Sequence, residues 1–114
     1  MSTNIESIVN EVVADLTLKM HNDPTFDADV LEVIVKTVVR EFIQRREYPE
    51  SFSENSIADD LNKYYATILK VSEYDYNQIG IEGQVGHSEN GVSRTYIDRN
   101  SLFSDVYKYV RFLV

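Results

Sequence analysis

Apolar side chains recur every third or fourth residue along much of the chain, a period typical of amphipathic α-helices. The first such stretch covers residues 5–20, where Thr3 and Glu6 have the spacing of a capping box. The second covers residues 28–46 and follows Asp27, a predicted N-cap. It is rich in β-branched residues, but its length and period favour a helix over a strand.

Two further stretches complete the pattern. The third extends from Ser56, its predicted N-cap, to about residue 76, and the fourth covers about residues 101–112 after Asp98 or Asn100 as cap. We therefore predict a mostly α fold, a small bundle of about four helices in one domain that spans residues 1–114. The predicted core consists of Val35, Val38, Val39, Ile68 and Leu69.

A glycine-rich interruption separates the third and fourth stretches. All 4 glycines of the chain lie between residues 80 and 91. Asn90-Gly91 between two short polar arms is a strong hairpin signal, because both residues accept positive φ in a tight turn. The arms offer few apolar side chains, and an isolated two-stranded hairpin is marginal in water. We predict a protruding β-hairpin or extended loop at about residues 82–97, completed by a neighbouring molecule.

The charge of the chain is unevenly distributed. The net charge is -8, and residues 47–89 hold nine acidic side chains against two lysines. From Arg94 to Arg111 the balance is mildly basic. A chain with this pattern lacks the clustered cations that grip a nucleic-acid backbone, so we expect no sequence-specific nucleic-acid binding. Oppositely charged regions can instead meet across an interface between copies.

Candidate chemistry is sparse. The chain has no cysteine, which excludes disulfides and thiolate metal sites. His87, Ser88 and Asp98 are the right residue types for a base, a nucleophile and an orienting acid, but no motif fixes their geometry. A cluster of oxygen and nitrogen ligands near residue 25 lacks the glycine and distal glutamate of a calcium loop. This cluster consists of His21, Asp23, Asp27 and Asp29. We predict no catalytic, cofactor-binding or metal-binding residue.

The string of residues before the last predicted helix reads Glu82-Gly83-Gln84-Val85-Gly86-His87-Ser88-Glu89-Asn90-Gly91-Val92-Ser93-Arg94-Thr95-Tyr96, and the helix itself ends Tyr109-Val110-Arg111-Phe112. This string resembles the C-terminal part of phage head–tail connector proteins, also called adaptor or DNA-packaging proteins. Gly86 stands where that family has a serine. The resemblance implies a structural subunit of a phage or prophage virion that forms a homo-oligomeric ring between the portal and the tail-side proteins.

The resemblance also implies a location, first in the host cytoplasm during assembly and then at the head–tail junction of the virion. No segment is apolar and long enough to span a membrane, so we expect no membrane partner. The alternative is a small helical regulatory module that binds one protein partner. The regulatory module predicts a monomer or twofold dimer with a folded hairpin, whereas the connector predicts a flexible hairpin and higher-order rings. We predict that the interface lies in the hairpin, with Arg94 as its anchor. The predicted interface residues are Gln84, His87, Ser88, Glu89, Asn90, Gly91, Arg94 and Tyr96.

Overall fold

Four α-helices and one short 3-10 helix make up the regular structure of the computed structural model, which describes residues 4–82 and 99–106. Helix α1 spans Ile5–Met20, α2 Ala28–Arg46, α3 Glu54–Lys63 and α4 Tyr65–Glu82. The 3-10 helix spans Arg99–Phe103. This confirms the predicted mostly α bundle. The predicted hairpin lies outside the described residues, apart from its first position, Glu82, which ends α4.

The caps of α1 and α2 follow the side-chain chemistry of their first turns. Asn4 caps α1: its Oδ1 accepts the Ser7 amide at 2.7 Å, and the Ser7 hydroxyl accepts the Asn4 amide at 3.1 Å. The predicted pairing of Thr3 with Glu6 is therefore wrong by one residue. Asp27 is confirmed as the cap of α2, because its carboxylate accepts the amides of the two residues that follow Ala28.

The third predicted helix is two helices. Ser53, not Ser56, caps α3, and its hydroxyl accepts the Ser56 amide at 3.1 Å. Tyr64 separates α3 from α4: its amide donates to the Leu61 carbonyl, while its own carbonyl accepts the Ile68 amide. The Tyr64 ring also packs against Phe42, with the centroids 6.0 Å apart. This tertiary contact accompanies the break that the sequence pattern did not predict.

Helix α2 is the central element of the bundle. It contacts α1, α3 and α4, while α1 also contacts α3 and α4. Four of the five predicted core residues are confirmed as fully buried. The fifth, Leu69, is only half-buried and packs at the edge of the core. The predicted helix over residues 101–112 begins as the 3-10 helix, and its part after residue 106 lies outside the described residues.

We expect Val38→Asp to unfold the protein. Val38 is 0% exposed, and an unpaired buried carboxylate costs several kcal/mol of a total stability of roughly 5–15 kcal/mol. The matched control is Val33→Asp on the same helix, because Val33 is 63% exposed. Thermal unfolding followed by circular dichroism measures both variants. A Val38→Asp variant as stable as the Val33→Asp control would show that α2 is not central.

A buried ion pair attaches the end of α2 to α3. The Arg46 guanidinium donates to both carboxylate oxygens of Asp60, at 2.8 and 3.0 Å, and the Tyr48 hydroxyl donates to the same carboxylate at 2.7 Å. The two charged side chains are only 9% and 7% exposed. Burial lowers the pKa of Arg46, but its hydrogen bonds with Asp60 and Tyr48 outweigh that effect and raise the pKa overall. Arg46 therefore stays charged.

We predict that Asp60→Ala destabilises the protein by about 3–5 kcal/mol, since it leaves the buried Arg46 without its counter-charge. Asp59→Ala is the matched control on the neighbouring, exposed position, and its effect should stay within about 0.5 kcal/mol. Urea unfolding of both variants gives the two free energies. Equal losses of unfolding free energy in the two variants would mean that the Arg46–Asp60 pair contributes no more to stability than a surface charge.

Candidate protein-interaction site

The predicted interface residues all lie in segment 83–98, outside the described part of the chain. They are Gln84, His87, Ser88, Glu89, Asn90, Gly91, Arg94 and Tyr96. The structure instead defines the two ends of this segment. Helix α4 leads into it at Glu82, and the chain is described again from Arg99.

Arg99 fixes the far end of the segment to two helices at once. Its Nε and Nη2 donate to the two carboxylate oxygens of Asp75 on α4, each at 2.8 Å. Its Nη1 and Nη2 donate to the two carboxylate oxygens of Glu41 on α2, at 3.0 and 2.7 Å. Two bidentate pairs on one guanidinium use its planar geometry fully, and such charge-assisted bonds are strong. The chain therefore returns to the bundle at a defined point.

Phe103 adds an apolar contact to this attachment. Its ring is buried and packs on Phe42, with centroids 5.2 Å apart. The guanidinium of Arg45 lies 3.8 Å from the Phe103 centroid, and the Arg45 Nη2 donates to the Asn100 side chain at 3.2 Å. A cation over an aromatic face is attractive. Residues 99–106 are thus held by charge, by aromatic packing and by a hydrogen bond.

The electrostatics of the attachment favour the charged forms of Glu41 and Arg99. Hydrogen bonds from Arg99 lower the pKa of Glu41 more than burial raises it, and Arg45 adds to the effect. The hydrogen bonds of Arg99 with Asp75 and Glu41 raise the pKa of Arg99. Glu41 and Arg99 are therefore both ionised at neutral pH. Around Glu41 the site holds ion pairs rather than a neutral acid able to donate a proton.

An open groove runs beside the attachment along α4. Its volume is about 330 Å³, and most of its walls are apolar. Lys70, Glu73, Tyr74 and Asn77 supply one side, at spacings that place them on one helix face, and Leu102 supplies the other. Glu73 is held by Lys19 of α1 at 2.8 Å. This surface can accommodate a peptide side chain, but it carries no set of groups for bond-making chemistry.

The residues considered for catalysis or metal binding are not brought together where they are described. His21 and Asp23 lie exposed after α1, and Asp23 accepts hydrogen bonds from the amide and hydroxyl of Thr25, which lower its pKa. Asp27 is occupied in capping α2. Among the described residues, no three histidine, aspartate or glutamate side chains converge as ligands of one metal ion. His87, Ser88 and Asp98 lie outside those residues.

Sequence reasoning missed Glu41, Asp75 and Arg99. Glu41 and Arg45 are four residues apart on α2, so their pairing had a local signal. The partners of Arg99 lie 24 and 58 residues away along the chain, so their pairing had no local signal.

None of the helices in residues 4–82 and 99–106 combines the length and apolar character needed to cross a bilayer. No protein-family model, curated protein or solved structure matches this chain.

We predict that Arg99→Ala releases residues 99–106 while the bundle stays folded. One charge-assisted hydrogen bond contributes about 1.5 kcal/mol or more, so local opening should become at least about tenfold more frequent. Hydrogen exchange of the Ser104 and Val106 amides reports this, because both donate within the segment. Arg40→Ala, an exposed arginine of α2, is the control. Unchanged exchange in Arg99→Ala would assign the attachment to Phe103 and to the Arg45–Asn100 hydrogen bond.

Proposed function

We propose that this chain is a structural subunit of a phage or prophage head–tail connector ring, which joins the portal to the tail and extends the conduit for DNA. One observation supports this proposal most strongly. Arg99 binds α2 and α4 and so fixes one end of the segment that resembles the connector family. The other end of that segment follows directly from α4. A rigid bundle that presents one polar, glycine-rich segment is suited to reach a neighbouring subunit.

The charge of the chain is compatible with a DNA conduit. With a net charge of -8, a ring of such subunits would surround DNA with few cations, so phosphates could slide without being bound. In this proposal the protein is not an enzyme. Its partners are other copies of itself, the portal and tail-side proteins, and it moves from the host cytoplasm into the virion.

The second candidate is a small helical regulatory module. The groove between α4 and Leu102 favours it, because a largely apolar groove on a helical surface can receive a side chain of one protein partner. A module of this kind would be a monomer or a twofold dimer. A connector subunit would form higher-order rings and would bind a portal.

The test of the proposed function deletes residues 84–94 and bridges the gap with a short glycine linker. The core described above is formed by residues outside this deletion, so we expect helix content and thermal stability to stay unchanged. Co-purification with the portal protein encoded nearest to this gene should be lost. A deletion that unfolds the bundle would place the segment in the core. Portal binding that survives the deletion, or a gene neighbourhood without portal, capsid or tail genes, would reject the connector.

Point variants refine this test. Arg94→Ala should weaken portal binding, because an arginine in the segment can form bidentate bonds with a carboxylate of the partner. Lys63→Ala removes an exposed cation from α3 and is the matched control. Arg99→Ala is unsuitable for that comparison, since it also loosens the attachment of residues 99–106. Equal binding by the Arg94 and Lys63 variants would remove Arg94 from the interface.

A further inference from the structure

The outer face of α1 carries an acidic stripe that ends in an apolar residue. Glu11, Ala14, Asp15 and Leu18 follow one another at helical spacing on one face, and all four are exposed. Leu18 is 74% exposed, the highest value among the large apolar residues that the structure describes. We call this set the acidic stripe.

The outer face of α2 carries the complementary arrangement. Val33, Lys36, Thr37 and Arg40 have the same spacing and are also exposed. Val33 is 63% exposed. The Thr37 hydroxyl donates to the Val33 carbonyl at 2.9 Å, so its donor is already used within the helix. We call this set the basic stripe.

The two stripes match residue by residue when the helices run in opposite directions. Each spans eight residues, and the seven steps from first to last give a rise of about 10 Å along the helix axis. With Leu18 placed against Val33, Asp15 meets Lys36 and Glu11 meets Arg40. Ala14 and Thr37, two small side chains, then lie between the charges. This single register brings together one apolar contact, one close approach of two small side chains and two pairs of opposite charge.

We propose that the acidic stripe of one molecule packs against the basic stripe of a second copy, antiparallel and in this register. Isolated exposed apolar residues are common on protein surfaces and would not support this by themselves. The match of charge, side-chain size and register over four positions supports the contact. The contact joins two different faces, so each molecule keeps one free stripe and a further copy can add.

The partners of these side chains within one molecule leave the contact possible. Asp15 accepts the Tyr65 hydroxyl, and Lys36 lies 3.4 Å from Glu32 in an exposed pair, which is a weak interaction. Glu11 and Arg40 form no hydrogen bond or ion pair with any residue in 4–82 or 99–106. The outermost charge pair of the register is therefore available to a partner.

This inference deepens the proposed function, because it names the faces through which copies of a ring subunit would meet. It differs from the contact expected from the sequence, in which the acidic residues 47–89 face the basic residues after Arg94. It also requires no portal. Association of the purified protein alone can therefore test it.

The first experiment exchanges charges across the predicted contact. Sedimentation equilibrium at low salt should show concentration-dependent association of the unmodified chain, weakened by added salt. Glu11→Arg and Arg40→Glu should each weaken association by about tenfold or more, since each places like charges together. The double variant should return to within about threefold of the unmodified chain. Lys63→Glu, a charge reversal outside both stripes, is the control and should change nothing.

The second experiment uses the absence of cysteine from the chain. Separately prepared Ala14→Cys and Thr37→Cys proteins are mixed and mildly oxidised, so that any bond between positions 14 and 37 joins two molecules. The mixed disulfide should form well above half of all disulfides, which is the share that random pairing of an equimolar mixture gives. An Asn55→Cys protein, altered at an exposed position of α3, replaces either partner as the control and should give no such preference.

Three outcomes would overturn the inference: a chain that stays monomeric at every concentration, a double variant as weak as the singles, or random cross-linking. The connector proposal is tested separately, by portal binding. Stripe-dependent association without portal binding would keep the inference and reject the connector. Portal binding together with random cross-linking would reject the inference alone.

Discussion

Helix α2 can be stable only if one of its faces is removed from water, and the other described elements are arranged around that face. Val35, Val38, Val39 and Phe42 are all buried within it, in contact with the helices on either side. Apolar burial on this scale is the dominant favourable term in folding. Once α2 is central, its polar residues acquire fixed positions as well. Arg46 then meets Asp60 of α3, and Glu41 meets Arg99 where the chain returns.

The bounds of α1 and α2 follow from the sequence because local signals agree there. The apolar period gives the extent of both helices, Pro24 and Pro49 follow their C-terminal ends, and Asp27 gives the start of α2, whereas the cap of α1 lies one residue later than predicted. The break at Tyr64 has no such signal, because it accompanies contacts of that ring with Phe42 and the Arg46 guanidinium. The attachment by Arg99 could not be predicted from the sequence either, because its partners are distant along the chain. The interface predicted for residues 82–97 rests on their glycines, their polar arms and the family resemblance, and it stays a prediction because residues 83–98 lie outside the described chain.

Charge complementarity in this chain operates first within one molecule. The sequence suggests that an acidic middle region could meet a basic end in a neighbouring copy. Two acids of that region, Asp60 and Asp75, already pair with arginines of their own molecule. Buried or partly buried pairs of this kind hold elements in register more than they supply affinity. The charges left for a neighbour are therefore exposed ones, such as Glu11 of the acidic stripe and Arg40 of the basic stripe.

The attachment at Arg99 also bears on how this protein can change over time. Segment 83–98 joins Glu82 to Arg99, two points that the bundle fixes, and the entropy of closing a loop between fixed ends depends on its length. That cost grows with the logarithm of the length, and doubling the segment costs only about 0.6 kcal/mol. A longer segment between these two points would therefore cost little loop-closure entropy. Loop-closure entropy thus constrains the length of this segment far less than packing constrains α2 and the residues around it.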